Sequence, residues 1–145
     1  MDYSGLAVDM LEQMRYLHGV GPQKSIDDVL QGETFVLLCI AHHGGETLPG
    51  AISAEMNVSS ARIAQALNST EKKGWITRKI DPCDRRRILV ALTPAGNGVV
   101  EERMQMMHDL ARKMLERLGK DDAKEYVRIL GRLVDIFRNE PPCYN

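Results

Sequence analysis

The sequence has few cysteines and no long hydrophobic segment. Cys39, Cys83 and Cys143 are odd in number and widely spaced, which fits neither a disulfide scaffold nor a paired CxxC zinc site. We therefore expect reduced thiols, no bound metal and no cofactor. No window approaches the roughly 18 apolar residues of a spanning helix, and the amino terminus lacks the basic and apolar segments of a signal peptide. These absences predict a cytoplasmic protein without a membrane partner.

Motifs of enzyme chemistry are also missing from the sequence. It contains no Walker loop, no GxGxxG after a strand, no HExxH and no nucleophile elbow, so we do not expect an enzyme. Cys39, His42 and His43 lie within about one helical turn of each other. They leave open a thiol nucleophile with a histidine base, or a metal cluster. Cys39 stands in a strongly apolar segment, however, where a free cysteine usually packs as a small buried hydrophobe.

The chain lacks an excess of charge of either sign, but its charges are unevenly distributed. The formal net charge is −1, whereas residues 59–87 carry eight basic and three acidic side chains, a local balance of +5. The remainder of the chain therefore sums to −6. A concentration of positive charge in one segment is typical of a surface that faces nucleic-acid phosphates, although a solvated protein surface has the same composition.

The most informative segment covers residues 81–87, which read Asp-Pro-Cys-Asp-Arg-Arg-Arg. It lies between residues 75–80 and 88–92, which are rich in the β-branched and aromatic residues that favour paired strands. This pattern predicts a β-hairpin with a cationic tip. The rest of the chain is predicted to be mostly helical, so the fold class is mainly α with a small β-hairpin. At 145 residues, one domain is expected.

Helical periodicity predicts four helices before the hairpin, over residues 4–18, 33–43, 49–56 and 59–73. In the fourth, Ser59 is a good N-cap and Gly74 a good terminator. Amide, cationic and small side chains lie opposite its apolar side, and such groups can contact base edges in a major groove. The residues of this helix that we expect to contact DNA are Ser59, Ser60, Ala61, Arg62, Gln65, Asn68, Ser69 and Lys72.

The carboxy-terminal part is predicted to form two further helices that take part in assembly. Thr93 and Pro94 suit the start of a helix that runs to about Leu118, and a second begins near Asp121 or Asp122. Both carry more apolar surface than one small domain covers, which predicts that a further surface packs against them; packing within the chain is the alternative. The proposed dimerisation residues on these helices are Met104, Met107, Met114, Tyr126, Leu130, Leu133 and Phe137.

Several motifs together resemble those of the MarR-type (multiple antibiotic resistance regulator) winged helix-turn-helix transcription factors. They are Val58-Ser59, the run from Leu67 through Gly74-Trp75-Ile76 to Arg78, the sequence Asp-Pro-x-Asp-Arg-Arg at 81–86, and Leu-Thr-Pro-Ala-Gly at 92–96. The resemblance is close over about residues 30–100. It implies one domain over 1–145, with a winged helix-turn-helix at 33–93 and dimerisation helices at 1–20 and 94–145.

The resemblance also implies a function and roles for residues of the hairpin. The helix over 59–73 would enter the major groove of a pseudo-palindromic duplex, and Arg86 would enter the adjacent minor groove. Asp84 would orient Arg86, since a carboxylate can hold a guanidinium by charge-assisted hydrogen bonds. Arg85 and Arg87 complete the expected wing contacts. The protein is expected to be a dimeric repressor that a small-molecule effector releases from its operator.

The effector site is expected where the winged domain joins the dimerisation helices. Methionine-rich walls with one or two imidazoles favour an aromatic carboxylate over a metal ion. The alternatives are a cysteine- or metal-based sensor on the same scaffold, with Cys83 exposed on the wing, and a winged-helix protein-interaction module. The candidate effector residues are Met10, Met14, Leu17, His18, Cys39, His42 and His43.

Overall fold

The computed structural model describes residues 3–21, 24 and 32–139. These residues form a mainly helical fold with a small antiparallel sheet, which confirms the predicted fold class. The elements in chain order are α1 Tyr3–His18, α2 Gly32–His42, β1 Glu46–Thr47, α3 Pro49–Met56, α4 Ser60–Lys72, β2 Ile76–Ile80, β3 Ile88–Leu92, α5 Pro94–Leu118 and α6 Lys120–Asn139.

The predicted helices and strands agree with these bounds to within one or two residues. Among the elements given above, the two-residue strand β1 was not predicted, because it is too short to show an alternating pattern. The sheet order is β1-β3-β2, with β3 antiparallel to both neighbours. Thr47 pairs with Val90, and Ile80 pairs with Ile88 at the base of the wing loop, residues 81–87.

The hydrophobic core is centred on α2, which is apolar around most of its circumference. Val36, Leu37 and Ile40 are completely buried, and Cys39 is nearly so. They pack with residues of α3, α4 and the sheet, because a helix with apolar residues on every side needs cover on every side. The other buried hydrophobic residues of the core are Ile52, Ile63, Leu67, Ile76 and Val90.

The turn between α3 and α4 is held by local hydrogen bonds. Asn57 has a left-handed backbone with φ of 51°, which Asn tolerates better than most residues. Ser53 supports the turn twice, since its carbonyl accepts from Val58 N at 3.2 Å and its hydroxyl donates to Val58 O at 2.6 Å. Ser59 Oγ then accepts from Arg62 N at 3.4 Å, as its predicted N-cap role requires. These contacts fix where α4 starts.

The start of α5 is bonded to the end of α4 through Thr93. The Thr93 hydroxyl donates to Gly74 O at 2.6 Å and accepts from Gly96 N at 3.0 Å, while Thr93 N donates to Trp75 O at 3.0 Å. Thr93 is therefore both the N-cap of α5 and a link to the turn after α4. These bonds give a structural reason for the Leu-Thr-Pro-Ala-Gly motif.

The structure divides into two compact units between Met107 and His108, within α5. The first contains the winged helix-turn-helix, and the second contains the end of α5 together with α6. All side chains of α1 are exposed, and α6 buries none. Among the described residues, no helix has the length and apolar character needed to cross a membrane.

Candidate nucleic-acid interface

Helix α4 has a buried side and a polar side, as its sequence predicts. Ile63, Leu67 and Thr70 are buried, and the Thr70 hydroxyl donates within the helix to Ala66 O and Leu67 O, both at 3.0 Å. Among the predicted DNA-contacting residues of α4 and its N-cap, the exposed ones are Ser59, Ser60, Ala61, Arg62, Gln65, Asn68 and Lys72. An exposed row of this kind can approach the edges of bases.

Ser69 differs from the other predicted contact residues of α4. It is half-buried, and its hydroxyl bonds the carboxylate of Glu33 on α2. Lys73 contacts the same carboxylate, with Nζ 2.5 Å from Glu33 Oε2. The hydrogen bonds from Lys73 and Ser69 hold the pKa of Glu33 below its usual value. Ser69 therefore contributes to the α2–α4 contact, and a DNA contact by its side chain stays a prediction.

The wing loop is closed by hydrogen bonds at both ends. Asp81 N donates to Arg87 O at 3.0 Å, and Arg87 N donates to Asp84 O at 2.9 Å. The Asp81 carboxylate accepts from Cys83 N at 2.9 Å, a local turn bond typical of aspartate. The backbone of the loop is thus defined by its own residues, and its arginines project from a closed turn.

Asp84 contacts two of the three wing arginines. Its Oδ1 accepts from Arg86 N at 3.0 Å and from Arg86 Nε at 3.3 Å, and its Oδ2 accepts from Arg87 Nε at 3.4 Å. The Arg86 backbone bond and the two guanidinium bonds lower the pKa of Asp84 below its usual value. The Arg86 side chain is nevertheless 91% exposed. The structure brings Asp84 and Arg86 together as the sequence predicts, while their role in DNA binding stays a prediction.

Three of the eight cations in residues 59–87 are paired with acids outside the wing loop. Lys73 contacts Glu33 and lies 4.7 Å from the centre of the Trp75 ring. Lys79 forms an ion pair with Glu46 of β1. Arg78 contacts two residues of α4. Within the part of the chain that the structure describes, the guanidinium or ammonium groups of Arg62, Lys72 and Arg85 have no acidic partner.

Arg78 is the residue near the interface whose role the sequence analysis missed. Its Nη2 donates to Asn68 Oδ1 at 2.7 Å, and its Nη1 lies 2.9 Å from Glu71 Oε2. Period-two alternation offered a signal, because Arg78 shares one face of β2 with the buried Ile76. Arg78 is the next residue after Ile76 on that face of the strand, so its side chain lies just outside the core and can reach α4.

A cavity of about 450 Å³ lies in the first unit, on the side of α2 that carries Cys39 and His42. The α1 residues of the predicted effector site, Met10, Met14, Leu17 and His18, are exposed. The structure therefore brings Cys39 and His42 together with a different set of residues. The lining of the cavity consists of Phe35, Leu38, Cys39, Ala41, His42, Glu55, Val100, Met104 and Met107.

Glu55 supplies a negative charge to this cavity. Its Oε2 lies 2.8 Å from His43 Nε2, and this hydrogen bond is the main reason why the pKa of Glu55 falls below its usual value. Burial, assisted by the charge of Glu55, raises the pKa of the Cys39 thiol to about 11. Cys39 is therefore a neutral thiol at physiological pH. Among the described residues, no group of three or more His, Cys, Asp or Glu side chains could hold a metal ion.

The predicted dimerisation residues are partly or largely exposed in the single chain. Met107, Met114 and Tyr126 are half-buried. Met104 is 52% exposed and Phe137 65%, and Leu130 and Leu133 are also exposed. Large contiguous apolar patches are typical of interaction surfaces, and the role of these residues in dimerisation stays a prediction.

Known proteins share both the sequence pattern and the fold. Residues 28–87 match the model of the MarR family. The HTH-type transcriptional regulator YwhA of Bacillus subtilis is 28% identical over 141 residues, which cover 92% of this chain and 99% of YwhA. The crystal structure of MarR from Escherichia coli, in its apo form, superposes with a TM-score of 0.66 at 21% identity, covering 89% of this chain and 95% of MarR.

Together, the family model, the curated relatives and the fold support a MarR-type transcriptional regulator. The same similarities support DNA binding and a winged helix, as the resemblance of its motifs implied. A similar fold is that of BpsR from Bordetella bronchiseptica, whose DNA binding is regulated by 6-hydroxynicotinic acid. BpsR superposes with a TM-score of 0.63 at 23% identity, covering 88% of this chain and 91% of BpsR.

Proposed function

We propose that this MarR-type regulator is a cytoplasmic homodimeric repressor that binds a pseudo-palindromic operator and leaves it when a small molecule binds. Helix α4 would lie in the major groove, and Arg86 of the wing would lie in the adjacent minor groove. The observation that carries the proposal is the almost fully exposed Arg86 guanidinium, backed by the Asp84 carboxylate in a closed loop. A narrow minor groove attracts such a cation through its negative potential.

The charge distribution supports the same docking mode. Lys73, Arg78 and Lys79 are paired with acids of the fold, which leaves Arg62, Lys72 and Arg85 to face phosphates. These three lie on α4 and in the wing loop, the two elements that would touch DNA. Phosphate contacts of this kind set the position and the salt dependence of binding, whereas base contacts set the sequence preference.

A second copy of the chain would cover the exposed apolar residues of α1 and α6. Leu6, Met10 and Met14 are exposed on α1, as are Leu130, Leu133 and Phe137 on α6. A homodimer places two α4 helices about one helical turn of DNA apart, which requires a two-fold symmetric operator.

Release by an effector requires that the effector bind the DNA-incompetent arrangement of the dimer more tightly than the competent one. The cavity beside α2 is suited to such a role because α3 and α5 also line it. Its apolar walls suit an aromatic compound, and the regulation of BpsR by 6-hydroxynicotinic acid offers a parallel. Glu55 adds a requirement, since a carboxylate ligand must place its charge away from this side chain, toward His42.

The proposal is tested by selecting bound duplexes from a random pool and measuring the mass of the selected complex. The expected result is a symmetric consensus bound by two chains, with affinity that falls steeply as salt increases. Binding of one chain, or enrichment of no sequence, would refute the dimeric operator-binding function. A protein-interaction module that does not bind DNA would enrich no sequence.

A further inference from the structure

The guanidinium of Arg78 joins strand β2 to the polar side of α4. Its two terminal nitrogens contact Asn68 Oδ1 at 2.7 Å and Glu71 Oε2 at 2.9 Å. Asn68 and Glu71 are three residues apart, so their side chains are neighbours on the surface of the helix. The planar fork of an arginine can hold both acceptors at once. Asn68, a predicted base-contacting residue, is thereby hydrogen-bonded to a residue of β2.

This contact determines which end of the Asn68 amide remains for a ligand. A side-chain amide has an acceptor oxygen and a donor NH2 group, whereas a guanidinium has donors only. Arg78 must therefore bind the oxygen, and the NH2 group is turned away from it. An asparagine free to rotate can pair with adenine through both its oxygen and its NH2 group. An asparagine whose oxygen is engaged by a cation offers mainly its donor.

We propose that Arg78 is a positioning residue for sequence recognition, which presents Asn68 as a hydrogen-bond donor to the bases. The inference rests on the proposed function, in which α4 enters the major groove. In that groove guanine presents two acceptors and thymine presents one, whereas cytosine presents the N4 donor. Asn68 would therefore select guanine or thymine over cytosine at one position of each half-site. The two-bond pairing with adenine is lost in this arrangement, and adenine keeps a single contact through its N7 acceptor.

The same geometry separates this role from that of a phosphate-binding cation. The charge of Arg78 is offset by Glu71, so Arg78 has little counterion to release when DNA binds. Exposed ion pairs also contribute little to stability, so removing Arg78 should leave the fold intact. Loss of Arg78 is thus expected to change the choice of base without changing the salt dependence of binding.

The experiment compares Arg78→Gln with Lys79→Gln, the matched control that removes the neighbouring strand cation paired with Glu46. Each variant is titrated with the selected operator and with duplexes that carry every single-base change in both half-sites symmetrically. In Arg78→Gln, the ratio of the affinity for the selected base to the affinity for cytosine is expected to fall about tenfold at one position. Lys79→Gln should keep the wild-type profile. Arg78→Lys, which retains the charge without the fork, should behave as Arg78→Gln.

A double-mutant cycle with Asn68→Ala tests whether Arg78 acts through Asn68. Asn68→Ala should lose discrimination at the same position, and adding Arg78→Gln should cause no further loss. The inference would be overturned by additive losses, by an unchanged base profile, or by a uniform loss of affinity with a weaker salt dependence. Each of these results would leave the proposed function intact. A wild-type chain that selects no sequence would overturn the proposed function together with the inference.

Discussion

The backbone of Gly96 lies directly against the carbonyl group of Trp75. A Cβ atom placed on Gly96 would stand 1.9 Å from Trp75 O and 2.9 Å from its carbonyl carbon. Gly96 is buried in the first turn of α5, beside the Thr93 hydroxyl that bonds its amide. No side chain fits between the start of α5 and the turn after α4, because both neighbours are backbone atoms that cannot rotate aside.

Gly96→Ala is therefore expected to lower the free energy of unfolding by about 1–3 kcal/mol or more, the usual cost of overpacking a closed site. Gly98→Ala is the matched control, since its new Cβ would meet no atom within 4 Å. In the control, the helix propensity of Ala predicts a gain of up to about 1 kcal/mol. Urea denaturation of both variants measures the difference. Equal stabilities would show that the backbone at Gly96 can move aside.

Arg86→Ala is expected to weaken operator binding on the order of tenfold, because it removes an almost fully exposed wing guanidinium from the proposed minor-groove contact. The slope of affinity against salt should also become shallower. Lys113→Ala, which removes a cation from an exposed position of α5 outside residues 59–87, should leave both quantities unchanged. Fluorescence anisotropy at several salt concentrations measures the affinity and its salt slope in both variants. Wild-type affinity and slope in Arg86→Ala would exclude the wing arginine from the mechanism.

Phe137→Glu is expected to convert the dimer to a monomer, since a charge buried in an apolar interface is costly without a partner. Phe137 is 65% exposed in the single chain, so the substitution should not disturb the fold of the chain itself. Asn139→Glu introduces the same charge two residues away at an exposed position and serves as the control. Sedimentation velocity measures the mass. A dimeric Phe137→Glu variant would remove this residue from the interface.

The cavity beside α2 predicts how effectors of different charge compare. Salicylate and a neutral phenol should both lower operator affinity if apolar walls dominate, and Glu55→Gln should improve the response to salicylate by removing like-charge repulsion. His42→Ala should reduce the response to salicylate more than it reduces DNA binding. Operator titrations with each compound measure these responses. An unchanged response in both variants would place the effector site elsewhere.

Cys39 and Cys83 are expected to differ strongly in reactivity. Burial and the charge of Glu55 raise the pKa of Cys39 to about 11, so its thiolate fraction stays small until the pH nears that value. Cys83 is exposed on the wing loop. Alkylation at pH 8 followed by peptide mass spectrometry should label Cys83 well before Cys39. Faster labelling of Cys39, together with loss of operator binding under peroxide that Cys39→Ser prevents, would favour the cysteine-sensor alternative.

Features set by neighbouring residues in the chain were predicted well from the sequence. The cap at Ser59, the end of α4 before Gly74 and the buried side formed by Ile63, Leu67 and Thr70 each depend on residues within one or two turns. The two strands of the hairpin were likewise predicted by their own β-branched residues.

Features that depend on distant segments were not predicted. Lys73 is bonded to Glu33, which lies 40 residues away, and Lys79 pairs with a strand too short to be recognised. Glu55 was absent from the predicted effector residues, because no local pattern indicates that α3 places a carboxylate beside His43. The sequence therefore overstated the free positive charge of residues 59–87 and understated the polarity of the cavity.

The internal hydrogen bonds of the wing loop affect the entropy of DNA binding. Asp81 and Asp84 hold the backbone of the loop in the free protein, through bonds to Cys83, Arg86 and Arg87. Ordering a flexible loop would oppose association by the conformational freedom lost in each residue. In this chain that loss occurs during folding. Binding then has to immobilise the arginine side chains of the loop but not its backbone, so loosening the loop through Asp84→Ala should weaken binding even though no DNA contact is removed.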